Sequence, residues 1–139
     1  MSKPILLQPI GQIRTPWKTL ADCPSGPGRV EAEARLEILP EYAEGLHALA
    51  SAELDLLYWF DRAPRDVLRS VSPHDGVERG VFAMRSPHRP NPVALSRVPL
   101  IAVEGNTLVV GALDCLDGTA LFDIKPVPGG GGAKAPVSS

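Results

Sequence analysis

Two guanidinium groups, an imidazole and a carboxamide stand close together in residues 85–92, a segment that also contains three prolines. Guanidinium groups form paired, charge-assisted hydrogen bonds with carboxylates and phosphates, and a carboxamide can both donate and accept. Proline restricts its own backbone and that of the preceding residue, so the segment has little conformational entropy left to lose on binding. These residues therefore predict a binding loop, although an ordinary turn-rich connection has a similar composition.

A second segment, residues 113–126, places three acids and a lysine around a glycine. Asp117-Gly118 predicts a tight turn whose backbone can approach a ligand closely, or alternatively an Asx-turn without chemistry. Asp123 stands between two apolar residues, so its carboxylate needs a partner or a raised pKa, and Lys125 follows on the same strand face. The pair is either structural or catalytic. If it is catalytic, Asp123 orients or deprotonates a substrate nitrogen and Lys125 tunes it.

The elements that must position these residues are predominantly strands. Fifteen prolines and thirteen glycines divide the chain into short pieces, most of which alternate between apolar and polar residues. The patterns predict strands in residues 35–38, 53–60, 80–84, 95–103 and 107–110, a hairpin turn at 104–106, and one short helix in residues 40–50. We expect an all-β protein, a small closed β-barrel with one short helix.

The domain organisation is simple. A chain of 139 residues predicts one domain, residues 1–127, in which residues 62–79 form an exposed loop. Residues 128–139 are rich in Gly, Pro and Ser and predict a disordered tail. Cys23 and Cys115 have no metal-binding or redox spacing, and no apolar run is long enough for a membrane helix, so we expect a cytoplasmic protein with free thiols. Three scattered histidines predict no metal site.

Charge gives only modest support to a polyanionic ligand. The formal net charge is −2, with 14 basic and 16 acidic residues. Local basic density is nevertheless high, and it would suit either a phosphate backbone or a carboxylate. Among the aromatic residues, Trp17 lies beside Pro16 and Lys18 and is the candidate for an exposed stacking platform, whereas the alternation predicts a core position for Tyr58. The clustered basic residues are Arg79, Arg85, His88, Arg89 and Arg97.

Three segments, residues 9–18, 85–96 and 113–126, resemble in their order the signature segments of the TsaA-like (TrmO) family of small β-barrel methyltransferases. The resemblance implies S-adenosylmethionine as cofactor, N6-methylation of threonylcarbamoyladenosine-37 of tRNA as the reaction, and a homodimer. It implies that Asp123 and Lys125 are catalytic and that Trp17, Arg79 and His88 contact the substrate. The implied cofactor-binding residues are Arg85, Ser86, Arg89, Asn91, Pro92, Ser96, Asp117, Gly118 and Thr119.

Several positions depart from the family pattern. Val93-Ala94 replaces Ile-Gly, Ala120 replaces Pro, Val127 replaces Tyr, and Ser25-Gly26 replaces Arg-Gln. Together with the acidic balance, these departures leave two alternatives open. One is a methyltransferase that acts on a small-molecule substrate, and the other is a protein that binds S-adenosylmethionine without transferring its methyl group.

Overall fold

The structure of the chain is a computed structural model, which describes residues 3–19, 33–60, 63–111 and 113–128. The described residues form eight strands and two 3-10 helices. The helices are Pro40–Leu46 and Val81–Ala83. The strands are β1 (Gly11–Arg14), β2 (Ala34–Ile38), β3 (Glu53–Trp59), β4 (Arg69–Val71), β5 (Glu78–Gly80), β6 (Val93–Glu104), β7 (Thr107–Val110) and β8 (Thr119–Pro126).

Six of these strands close into a barrel, in the order β1-β2-β7-β6-β3-β8. Every neighbouring pair is antiparallel, and β8 pairs with β1 to complete the circle. Closure leaves the barrel without an unpaired edge. The all-β closed barrel predicted from the sequence is therefore confirmed.

The barrel interior is filled by the alternate residues of each strand. In β3, Leu54, Leu56 and Tyr58 are almost completely buried, while the residues between them are half-buried. Ile13 of β1 and Leu36 of β2 meet in the β1–β2 register and are equally inaccessible. The alternation seen in the sequence thus identified the core face of the strands.

Strand β3 lies between the two segments that the sequence singles out. It pairs with β6, which begins directly after residues 85–92, and on its other edge with β8, which ends the second segment. Trp59 stands opposite Val93, and Leu57 stands opposite Asp123. The two segments consequently flank one strand although they are separated in sequence.

Local predictions were wrong at three places. Residues 80–84 do not continue as a strand, because the chain turns into the 3-10 helix Val81–Ala83. The helix predicted for 40–50 is a 3-10 helix that ends at Leu46, and Ala48 then adopts a positive φ of 61°. Residues 62–79 are not merely a loop, since β4 and β5 form a separate hairpin supported by an ion pair between Arg69 and Glu78.

Some of the predictions concern residues outside the described ranges, and others concern membrane helices and metal sites. The predicted tail beyond residue 128 lies outside them, as do Cys23 and Ser25-Gly26. None of the helices in the described ranges is long and apolar enough to cross a membrane. Within the same ranges, no three His, Cys, Asp or Glu side chains are grouped so that they could hold a metal ion.

The close approach of β1 and β2 gives a test of the barrel. A Cβ atom at Gly11 would overlap the carbonyl oxygen of Glu37, which belongs to the strand backbone and cannot move aside cheaply. We expect Gly11→Ala to lower the free energy of unfolding by about 1–3 kcal/mol, as measured by urea denaturation. The matched control is Gly45→Ala, where the added methyl group meets nothing within 4 Å. Equal stability of the two variants would contradict the account.

Candidate functional site

A cavity of about 760 Å³ opens beside the start of β6. One wall is the binding loop predicted from the sequence, and the facing wall comes from β3 and from the segment before β8. Polar and aromatic side chains therefore converge from three separate parts of the chain. The polar and aromatic residues that line the cavity are Tyr58, Phe60, Phe82, Arg85, Ser86, Arg89, Ser96 and Asp114.

Arg89 holds the loop that forms the near wall. Its Nε donates to the carbonyl of Ser86 at 2.8 Å, and its Nη2 donates to the carbonyls of Val81, at 2.6 Å, and Met84. Three backbone carbonyls are thereby satisfied by one half-buried guanidinium, which stabilises the turn through residues 81–86. This use of Arg89 by the backbone is not visible in the sequence, where it resembles a ligand-binding arginine.

Arg85 has the opposite character. Its side chain is exposed and lines the cavity, and among the described residues its guanidinium forms no hydrogen bond or ion pair. Ser86, next to it, accepts a hydrogen bond at Oγ from the backbone N–H of His88 at 3.2 Å. Arg85 is consequently the cavity residue best placed to form paired hydrogen bonds with a carboxylate or phosphate.

The far wall carries a buried phenol. Tyr58 is 1% exposed, and its hydroxyl lies 2.7 Å from Oγ of Ser96. Burial raises the pKa of Tyr58 well above its ordinary value, and the Asp114 carboxylate raises it further, although the hydrogen bond with Ser96 acts in the other direction. The phenol therefore remains neutral at physiological pH, and the cavity holds two hydroxyl groups next to the carboxylate of Asp114.

The sequence predicted Ser96 as a cofactor contact, favoured a core position over a stacking role for Tyr58, and assigned no role to Asp114. Alternation identified Tyr58 as a core residue, which its burial confirms, yet alternation does not show that its hydroxyl reaches a cavity. Asp114 was one of the three acids of the second segment. Its proximity to Tyr58 of β3, whose pKa it raises, is a tertiary contact that no local sequence signal shows.

Asp117 lies away from this cavity and connects the second segment to the N-terminal strand. Its Oδ1 accepts from the backbone N–H of Thr15 at 3.0 Å, and its Oδ2 lies 2.7 Å from Nζ of Lys18 and 3.6 Å from Nη1 of Arg14. The hydrogen bond from Lys18 is the largest cause that lowers the pKa of Asp117. The residue thus joins two parts of the chain that are 102 positions apart.

Gly118, Thr119 and Trp17, which were also predicted to bind ligands, form intramolecular hydrogen bonds close to Asp117. Gly118 has a positive φ of 85°, and its N–H donates to the carbonyl of Ile13 at 2.7 Å. The hydroxyl of Thr119 donates to the carbonyl of Leu116 at 2.7 Å. The half-buried indole of Trp17 donates from Nε1 to the carbonyl of Leu113 at 2.8 Å. Their predicted ligand roles stay predictions, because each has an intramolecular partner and none lines the cavity with Arg85.

Four further predicted residues lie elsewhere. Asn91 lines a separate groove and accepts a 3.4 Å hydrogen bond from Arg65, while Pro92 is buried and its carbonyl accepts from the N–H of Phe60 at 2.9 Å. Arg79 forms a two-point ion pair with Asp75, with distances of 3.1 and 2.6 Å. His88 is exposed and belongs to the binding loop, but it does not line the cavity.

Asp123 and Lys125 form the ion pair that their spacing predicted. Nζ of Lys125 lies 3.3 Å from Oδ2 of Asp123, whose Oδ1 accepts from the N–H of Ile124 at 2.9 Å. The Asp123 side chain is 48% exposed and lines a groove against the 3-10 helix Pro40–Leu46 rather than the cavity of Arg85. Their pairing is confirmed, whereas their catalytic role stays a prediction.

A closed antiparallel barrel thus carries a cavity whose wall combines a guanidinium without a partner among the described residues, two hydroxyls, a carboxylate and aromatic rings, a lining typical of small-molecule pockets. More particularly, the chain belongs to the TrmO family, since residues 12–128 match the tRNA-methyltransferase O N-terminal domain.

Curated relatives and solved structures agree with this assignment. An S-adenosyl-L-methionine-binding protein of Archaeoglobus fulgidus is 45% identical over 122 residues, which are 87% of this chain and 88% of that protein. The tRNA (adenine(37)-N6)-methyltransferase of Escherichia coli is 36% identical over 129 residues, 84% of this chain and 55% of that enzyme. The crystal structure of TrmO from Pseudomonas aeruginosa superposes with a TM-score of 0.72 at 33% identity, covering 90% of this chain and 56% of that one.

The chain is short compared with some of these relatives. It spans little more than half of the Escherichia coli enzyme. It spans 34% of a probable S-adenosyl-L-methionine-binding protein of Archaeoglobus fulgidus, with which it is 47% identical over 124 residues and which matches 88% of this chain.

The charged contacts of Asp117 predict a specific acid sensitivity. Because the pKa of Asp117 is lower in the folded state than the value of about 3.9 in an unfolded chain, its contribution to stability is present above pH 4 and is lost as the pH falls through the folded value. Asp117→Asn keeps an acceptor for Thr15 but removes the charge. We expect this variant to be less stable at pH 7 and to lose less stability than the wild type between pH 5 and pH 2.

The measurement is denaturant unfolding across this pH range, with Asp75→Asn as the control. The pKa of Asp75 is also lowered, chiefly by Arg79, but this pair lies on the surface and its effect is screened by solvent. An Asp117→Asn variant that kept the full acid dependence of the wild type would contradict the assignment.

Proposed function

We propose that this chain is an S-adenosylmethionine-dependent methyltransferase and that its substrate is N6 of threonylcarbamoyladenosine at position 37 of tRNA. Membership of the TrmO family and similarity to the tRNA (adenine(37)-N6)-methyltransferase of Escherichia coli support the class of reaction. The observation that carries the proposal is the cavity in which Arg85 has no partner among the described residues while facing Ser96, Tyr58 and Asp114. A cytoplasmic location would follow from a tRNA substrate.

The donor set of the cavity fits S-adenosylmethionine. Arg85 would bind the methionine carboxylate, and the hydroxyls of Ser96 and Tyr58 are suited to ribose or base hydrogen bonds. Asp114 would lie near the positively charged sulfur. The aromatic ring of Phe60 provides apolar area beside the adenine ring. The carboxylate, ribose, adenine and sulfur of the cofactor thus each have a matching side chain on the cavity wall.

When bound, S-adenosylmethionine supplies a methyl group on a positively charged sulfur. The task of the chain is then to hold the acceptor nitrogen in line with that methyl group and to exclude water, because positioning alone can remove much of the barrier. A carboxylate close to the acceptor would take the proton that the nitrogen loses when its new bond to the methyl carbon replaces the methyl–sulfur bond, whose electron pair stays on sulfur. The tertiary structure offers two carboxylates for this step.

Asp114 and Asp123 are these two carboxylates. Asp114 lines the cavity with Arg85, whereas Asp123 is paired with Lys125 in a different groove. We assign the proton-accepting role to Asp114 and retain Asp123 as the alternative implied by family resemblance. A comparison of the two asparagine variants decides between them.

The disposition of cations favours one alternative substrate class. Arg79 and Arg97 are each held by two hydrogen bonds to a carboxylate, and Arg89 is held by backbone carbonyls. Of the clustered basic residues, Arg85 and His88 alone lack a side-chain partner among the described residues. Most of the clustered basic side chains among the described residues are therefore already hydrogen-bonded within the protein and less available to bind RNA phosphates. This observation favours a small-molecule methyl acceptor.

The methyl acceptor is tested by transfer from labelled S-adenosylmethionine to two tRNA pools, one that carries threonylcarbamoyladenosine and one that lacks it. We expect label only in the modified pool. Asp114→Asn should reduce the rate by about 100-fold or more, since the proton acceptor is lost, while Asp123→Asn should retain most of the activity.

Calorimetric binding of S-adenosylmethionine is the control for these rates. Confirmed cofactor binding without label in either pool would overturn the tRNA substrate and leave a small-molecule acceptor or a binding protein. Loss of activity in Asp123→Asn with retention in Asp114→Asn would reverse the two carboxylate roles.

The second part of the proposal is a homodimer whose partner subunit covers the cavity. The outer face of β6 exposes a row of apolar side chains, with Leu95 and Ile101 each 51% exposed and Val103 close to them in exposure. Leu95 also lines the cavity, so a subunit packed along this row would lie beside the site. A large cofactor in an open cavity is buried more completely when the surface of a second subunit closes the cavity.

Light scattering tests the homodimer. We expect the mass of two chains for the wild type and a shift toward one chain for Ile101→Lys, which places a charge in the apolar row, together with weaker cofactor binding. Val71→Lys is the matched control, because Val71 is similarly exposed but lies on the separate β4–β5 hairpin. A wild-type monomer that binds the cofactor as tightly as any associated form would refute the dimer.

A further inference from the structure

Phe82 is a large aromatic residue with an unusual position. Its side chain is 82% exposed, more than any other aromatic residue among the described ones that expose a large apolar surface. It lines the same cavity as Arg85 and Ser96. The residue before it, Val81, is 1% exposed, so the turn buries one side chain and presents the next at the rim of the cavity.

The exposure of Phe82 is imposed by the backbone around it. Val81 donates its N–H to the carbonyl of Leu68 at 2.9 Å, and Met84 donates its N–H to the carbonyl of Val81 at 3.2 Å. Arg89 binds the carbonyls of Val81 and Met84 from the other side. A ring on a turn held at both ends has little freedom to fold back into the core, and it loses little entropy when a ligand covers it.

Among the described residues, the other exposed apolar side chains do not share this combination. Leu95 is exposed and lines the cavity but has no aromatic ring, whereas Leu68, Val71 and Val77 belong to the β4–β5 hairpin or its approach and line none of the cavities described above. Phe82 is distinguished by a flat π face at the edge of a site that also holds hydrogen-bonding groups. Every nucleic acid base has such a face, and base–aromatic stacking is a common source of binding energy.

We propose that Phe82 is the stacking platform for an adenine ring at this site, held in position by the hydrogen bonds of Arg89 to the 81–86 turn. The inference rests on the proposed function, which supplies adenine from two sources, the cofactor and the adenosine of the substrate. The shared chemistry is a flat, neutral purine ring that covers the exposed face of Phe82. Stacking removes apolar surface from water on both rings, whereas the polar cavity wall fixes their orientation.

The test compares Phe82→Leu, which retains apolar volume but loses the π face, with Phe82→Trp, which keeps it. We expect Phe82→Leu to weaken one binding step by about fivefold to 100-fold and Phe82→Trp to restore it to within about twofold. The readouts are the Kd for S-adenosylmethionine by calorimetry and the KM for tRNA in the methyl-transfer assay. Because Phe82 is exposed, the thermal midpoint of both variants should equal that of the wild type, and Val71→Leu serves as the surface control.

The outcomes separate the two sources of adenine. A higher Kd for S-adenosylmethionine in Phe82→Leu assigns the platform to the cofactor, and an unchanged Kd with a higher KM for tRNA assigns it to the substrate base. If both constants stay within about twofold of the wild type, the platform is refuted while the methyltransferase proposal stands. A wild type that binds the cofactor but transfers no methyl group refutes the proposed reaction alone, since the Kd comparison still tests Phe82.

Discussion

The hydrogen-bonded position of β3 between β6 and β8 is the constraint on which the site depends. Each antiparallel ladder fixes which residues stand opposite one another, and a shift by one residue would turn every side chain to the other face. In the observed register Tyr58 stands opposite Ala94 and lies two residues along β3 from Leu56, which stands opposite Ser96, and the hydroxyls of Tyr58 and Ser96 lie 2.7 Å apart. The barrel core and the polar wall of the cavity are therefore determined by the same set of backbone hydrogen bonds.

The two segments that the sequence singles out have different physical tasks. Most of residues 85–96 line the cavity, where Arg89 donates its hydrogen bonds to the loop and the Arg85 guanidinium has no partner among the described residues. Residues 113–119 mainly connect the barrel to its N-terminal strand through Asp117 and Gly118, and Asp114 is their contribution to the cavity. A tight turn with an acid can thus be a structural clamp even inside a signature segment.

The strand pattern was largely predictable because alternation follows directly from the geometry of a pleated strand. Residues 107–110 and the turn at Gly105 were found in this way, and Gly105 has the positive φ of 65° that such a turn uses. The turn at Val81–Ala83 was not predictable, because it depends on carbonyl groups bound by Arg89 from eight residues away. The same limit applies to Asp117, whose partner Thr15 is brought near by the closure of the barrel and not by local sequence.

The departures from the family pattern can now be divided by position. Val93 and Ala94 line the cavity, and Ala94 stands opposite Tyr58 in the ladder, so the methyl group that replaces a glycine hydrogen adds bulk beside the buried phenol. Ala120 instead pairs with Gln12 on the β1–β8 edge, and Val127 is buried with its N–H donated to Glu53 at 3.2 Å. The first two changes alter the shape of the wall on which a ligand would lie, whereas the last two alter packing away from it. Differences in ligand preference within this fold should therefore follow the residues at the start of β6 more closely than those at either end of β8.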